Sequence, residues 1–209
     1  MILSLIKSSF LLLISLIVMA LGIAIVTHAN IGTTPITSPA YVLSLAFPLS
    51  FGTMMTAINI SFLLAQRLIL KRTFQRLQWL QLLLMPLLGF FIDTMFQLLE
   101  RFDPTYYMIK LMMVLLGSLI IAIATKLQLQ AKLINNPAEG IVKAYSFIRH
   151  RSFSTVKIQF DFSLVVIALI FSLIFLRDIS GVREGTVLSA FATGFFIHLF
   201  SKNKEASRT

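Results

Sequence analysis

Lys157 and Asp161 interrupt an otherwise apolar run, "FSTVKIQFDFSLVVIALIF", at residues 153–171. A spacing of four puts both side chains on one face of a helix, where they can pair. An ionisable group at such a depth is a functional candidate by default. Two readings stand side by side: Asp161 couples a solute to an ion, or Lys157 neutralises it while snorkelling to the inner surface. Glu139 is the second coupling candidate, although a carboxylate in the first turn of a helix is also favoured by the helix dipole. Asp93 and His198 lie toward opposite ends of their helices, as proton-coupling groups or as residues at the headgroups.

Uncharged polar residues form two further groups. Asn135-Asn136-Pro137 and Gly32-Thr33-Thr34-Pro35 each combine N-cap types with a proline suited to the first turn of a helix. Gly32 permits a sharp reversal. Both stretches therefore start short helices, and free N–H groups at paired helix starts are a device of solute sites in transporters. The alternative is that they cap their helices and meet no solute. Asn59 is placed with them as a solute-binding candidate. No Gly-x-Ser-x-Gly, His-Glu-x-x-His or Walker-type loop occurs, and His28, His150 and His198 are dispersed. No catalytic residue, enzyme activity, metal or cofactor is expected.

The elements that carry these residues are membrane helices. Of 209 residues, 57% are hydrophobic and only 12% charged, with mean hydropathy +0.90. Continuous apolar runs near the length of a bilayer crossing exclude a β-barrel pattern. Long helices are expected at about 8–29, 51–70, 78–99, 106–127, 154–176 and 183–200, with short ones at about 34–47 and 136–148. The first apolar stretch is too long for a signal peptide and is read as an uncleaved helix. Glu184-Gly185-Thr186 is read as a helix start or a close packing point. The cysteine count is zero, which removes disulfide and thiol chemistry.

The chain repeats itself. "IAIVT" at 23–27 recurs as "IAIAT" at 121–125; Pro35, Ser44, Ser50, Phe51 and Thr53 recur at Pro137, Ser146, Ser152, Phe153 and Thr155; "GFFI" at 89–92 recurs at 194–197. In these registers Asn59 corresponds to Asp161, and Asp93 to His198. Offsets rising in small steps are what short insertions between two copies produce. The expected fold is all-α, a single membrane domain over 1–209. It has six transmembrane helices as two inverted three-helix repeats (about 8–99 and 106–200), a re-entrant or interfacial helix in each, and a short polar tail at 201–209. With both termini inside, 14 of the 18 Lys and Arg fall on the cytoplasmic side, as the positive-inside rule requires. Eight crossings with parallel repeats would put "RLILKRTFQR" outside.

"IGTTP" (31–35) with "YVLS" (41–44), "LSFGT" (49–53) and "REGTVLSAFATGFFIHLF" (183–200) resemble the YczE/YyaS/YitT family of bacterial integral membrane proteins over nearly the whole chain. The resemblance implies a multi-pass protein of the bacterial cytoplasmic membrane and no defined activity. Asn136-Pro137-Ala138 also matches the tripeptide of aquaporin-type channels, but the first copy reads Thr34-Pro35-Ile36, so the likeness is of architecture alone. The expected function is a small secondary transporter or exporter of a small solute bound between the two helix starts. The alternative is an accessory, assembly or regulatory membrane protein. Expected partners are the lipid bilayer, a small-molecule solute and a second copy of the chain, with no nucleic acid.

Overall fold

The computed structural model describes residues 2–131, 134 and 136–206, with residues 2–5, 154 and 201–206 described as backbone only. Helices α1 (Ile2–His28), α2 (Ser38–Ala46), α3 (Phe51–Leu70) and α4 (Gln81–Leu99) are followed by α5 (Tyr107–Ala131), α6 (Pro137–Arg149), α7 (Phe153–Phe171) and α8 (Glu184–Ala206). Five stretches are long and apolar enough to cross a membrane: Ile6–His28, Phe51–Thr73, Arg76–Leu99, Tyr107–Ala131 and Thr155–Leu176. Glu184–Phe200 is a shorter apolar helix. The chain is an all-helical multi-pass membrane protein.

Helix starts are set by local chemistry. Ser50 Oγ accepts from Thr53 N at 3.1 Å, and Ser152 Oγ accepts from Thr155 N at 3.3 Å. The same Ser–Phe–x–Thr cap thus opens α3 and α7. Asn136 Oδ1 accepts from Ala138 N, and Pro137 takes the first position of α6. In the first half the regular helix starts later than Pro35. The Thr34 carbonyl accepts from Thr37 N and Ser38 N, and α2 proper begins at Ser38. A second proline explains the delay: Pro39 has no N–H for the Pro35 carbonyl, which Ser38 Oγ reaches instead at 2.8 Å.

Two other boundaries differ from expectation. Arg76–Leu80 forms a 3₁₀ turn ahead of α4. Of the expected polar tail, the described residues continue α8 to Ala206; Lys202, Lys204, Glu205 and Ala206 extend a helix already nucleated. Residues 207–209 lie outside the described residues.

Small residues let the helices meet. α1 and α5 cross where a Cβ on Gly22 would lie 2.9 Å from the Gly117 carbonyl, and one on Gly117 would lie 2.8 Å from that of Gly22. Around this crossing the packing is paired. α1 lies against α4 as α5 lies against α8, and α2 lies against α7 as α3 lies against α6. One pairing breaks the pattern. α3 and α4 touch backbone to backbone, so that a Cβ on Gly52 would fall 1.9 Å from the Gly89 carbonyl. Among the described residues α7 and α8 make no more than marginal contact, and a Cβ on Gly194 would meet nothing within 4 Å.

The two glycine positions should therefore respond oppositely. Gly52→Ala forces α3 from α4 and should destabilise by about 3 kcal/mol, seen as a lower melting temperature by circular dichroism in detergent. Gly194→Ala should leave the melting temperature unchanged or slightly higher, since it replaces an exposed helical glycine.

Candidate functional site

The two short helices begin in different surroundings. At the start of α2, Thr33 is fully buried and every polar atom it has is used. Its hydroxyl lies 2.6 Å from that of Thr27 and 2.8 Å from that of Thr37. Its N–H donates to Thr186 Oγ1 at 3.2 Å, and its carbonyl accepts from Ser189 Oγ at 3.3 Å. Thr34 Oγ1 joins through Thr37 at 2.7 Å. The start of α8 seals the site: Gly185 N donates to the Ile31 carbonyl at 2.7 Å, and Gly32, at φ +118°, has room for no side chain beside Thr186. Gly32, Thr33, Thr34 and Pro35 cap and lock this end. The residues between Glu184 and Thr186 act both as a helix start and as a packing point.

The start of α6 is unlike it. Asn136 and Pro137 face a cavity with about 20 Å³ of room, walled by Leu16 and Met19 of α1, Asn59 of α3, Gln81, Leu84, Met85 and Leu88 of α4, and Gln128 of α5. That is space for one water or little more. Asn59 is fully buried, and neither its amide nitrogen nor its oxygen has a partner. The side-chain oxygens of Gln81 and Gln128, also buried, have none. Gln66, further along α3, donates its amide to Gln78 Oε1 and lies against Gly140, while its own oxygen is unpaired. Each unsatisfied buried amide costs about 1–3 kcal/mol. Several gathered at one point are a standing cost that a guest with hydrogen-bonding groups would offset. Asn135 lies outside the described residues.

The charged candidates gather on the α7 side of α6. Lys157 Nζ donates to Asp161 Oδ2, giving the pair that their spacing allows. Asp161 Oδ1 is buried without a partner. Glu139, in the first turn of α6, feels the charges of Lys143, Lys157 and Asp161. Among the described residues, no ionisable side chain lines the amide cavity.

Asp93 makes contacts that the sequence reading did not include. Its carboxylate accepts from Ser50 Oγ at 2.5 Å and from Gly52 N at 2.7 Å. It is a cap for α3 supplied by α4, held where a negative charge meets the positive helix end. His198 is exposed near the far end of α8 and is not among its partners.

Three contributors went unread in the sequence, Gln66, Gln81 and Gln128 at one helix start; Thr186 at the other reads as a packing point, but not as a hydrogen-bond partner of Thr33. The glutamines sit near helix ends, where such residues ordinarily reach for headgroups. The repeat register held the missing signal. At the offset that relates "GFFI" to its copy, Gln81 corresponds to Thr186, and each packs at the short-helix start of the other half.

The fold and this site define a multi-pass helical membrane protein with a sealed hydroxyl cluster at one short-helix start and unpaired amides at the other. The chain belongs to DUF6198, a family of unknown function, whose model matches residues 6–202. No curated protein and no solved structure matches it.

Opposite stability changes should separate the two starts. Asn59→Leu removes an unpaired amide and should raise the melting temperature, by up to about 3 kcal/mol of stability. Thr33→Val breaks the two hydroxyl partnerships with Thr27 and Thr37 and should lower it, by about 2 kcal/mol of stability. Circular dichroism melts of the two variants check both signs.

Proposed function

We propose that the chain is a small secondary transporter or exporter of a small solute across the bacterial cytoplasmic membrane. The observation that carries this reading is the cavity of unpaired amides at the start of α6. In hydrocarbon, polar groups without partners are retained where water or solute reaches them. Asn59, Gln81, Gln128 and Asn136 would bind the solute. Asp161 and Glu139, with Lys157, would couple its movement to an ion.

The architecture is read as six crossings, with α8 as the sixth, in two inverted repeats of three, both termini cytoplasmic. The paired packing around the α1–α5 crossing and the repeated cap at Ser50 and Ser152 support this. Kinship with the YczE/YyaS/YitT family is part of the same proposal. In an inverted-repeat transporter the halves exchange conformations as access alternates. A closed α3–α4 contact opposite an open α7–α8 gap is consistent with one such state.

A second reading has one specific observation in its favour. Arg67 in the last turn of α3, and Lys71, Arg72 and Arg76 between α3 and α4, are all exposed, as is Trp79. That basic surface would suit an accessory protein that docks a partner.

Cysteine labelling decides between them, because the chain has no cysteine of its own. Single replacements at Asn59 and Gln128 should react with a membrane-impermeant thiol reagent, and a proton gradient should change the rate. Thr33→Cys should stay unlabelled. If Asn59→Cys and Gln128→Cys resist both permeant and impermeant reagents while Lys71→Cys reacts, the pathway is absent and the accessory reading stands.

A further inference from the structure

The groups around the cavity limit what it can hold. Resting on the transport reading, the question is the charge of the solute. Four amides line the space, from Asn59, Gln81, Gln128 and Asn136, and the remaining walls are Leu, Met and Pro. The unpaired atoms include a donor, Asn59 Nδ2, and acceptors, Asn59 Oδ1, Gln81 Oε1 and Gln128 Oε1. An amide turned about its last torsion exchanges donor for acceptor, so the set can meet a guest that has both.

Among the described residues, no charged side chain lines the cavity to balance an ion. The nearby charges already compensate one another: Lys157 pairs with Asp161, and Glu139 lies in the field of Lys143 and Lys157. The helix start disfavours anions too. Pro137 has no N–H, Ala138 N is held by Asn136 Oδ1, Gly140 N is held by the Asn136 carbonyl at 2.9 Å, and Glu139 sets a carboxylate in the same first turn. Moving an unpaired ion into such a site carries a desolvation penalty that nothing described there offsets. A neutral polar guest replaces its water hydrogen bonds with amide ones at little net cost.

We infer that the cavity at the start of α6 binds a small uncharged solute with both hydrogen-bond donors and acceptors, of the carboxamide class, and rejects ions of the same shape. The room of about 20 Å³ in this closed arrangement holds about one water, so a carboxamide enters only when the walls part further.

Acetamide, acetate and acetamidinium share one shape and carry no charge, a negative charge and a positive charge. The experiment measures binding of each to the purified full chain in lipid nanodiscs by saturation-transfer NMR, and uptake of each by proteoliposomes. Acetamide should bind. Its apparent affinity should fall about tenfold in Asn59→Leu and in Gln128→Leu, the loss of one or two neutral hydrogen bonds. The ions should show no signal. Binding of acetate or acetamidinium as strong as that of acetamide overturns the inference, as does acetamide binding indifferent to both variants, or no binding of any probe. Acetamide bound at Asn59 without uptake supports the inference and removes the transport reading instead. Uptake of an ion that depends on Asn59 does the reverse.

Discussion

A membrane interior supplies no water, so every polar group must be satisfied by the protein or by what the protein admits. The short helices α2 and α6 make this constraint acute, because each begins inside the packed bundle and exposes free N–H groups there. The chain satisfies the constraint in two ways. At α2 it builds a continuous hydroxyl network from Thr27, Thr33, Thr34 and Thr37, closed by Thr186 and Ser189 from the far end of the sequence. At α6, among the described residues, Asn136 caps the helix, and Asn59, Gln81 and Gln128 face a space. The proposed site exists because the second solution is incomplete.

The rest of the fold supports that difference. Gly22 and Gly117 bring α1 and α5 into backbone contact, so the two proposed repeats share a tight crossing. On one side α3 is fixed to α4 by Gly52, Gly89 and the cap from Asp93. On the other, α7 and α8 stand apart among the described residues, and Gly194 is bare. On the proposed transport reading, rigid packing at the centre with one loose pair of helices would let one half move while the crossing holds. Asp161 lies on the loose side, with one oxygen unpaired, where motion of α7 would change its surroundings.

Much of the fold was legible because membrane helices declare themselves by length and hydropathy. The cap residues Ser50 and Ser152, the proline starts and the Lys157–Asp161 spacing are local, and local chemistry is what a sequence states directly. The repeat anchors carried further, since they placed Asn59 as a site residue before its surroundings were known. What stayed hidden depends on partners distant in the chain. Asp93 looked like a titrating group; that it caps α3 follows only from the glycine contact that brings Ser50 within reach. Pro35 looked like a first-turn residue until Pro39 moved the start of the regular helix. Gln66, Gln81 and Gln128 lie on three segments that converge only in the fold. Thr33 and Asn136 looked equivalent, and the residues that distinguish them come from α8 and α4.

The central claim is that the start of α6 is wet and the start of α2 is dry. An experimental structure in lipid, at a resolution that shows ordered water, tests it most directly. The account predicts density for water or solute in contact with the Asn59 amide, with Gln81 and Gln128 turned toward it, and none within the Thr33 cluster. Amides paired with one another around a filled, dry core would contradict it.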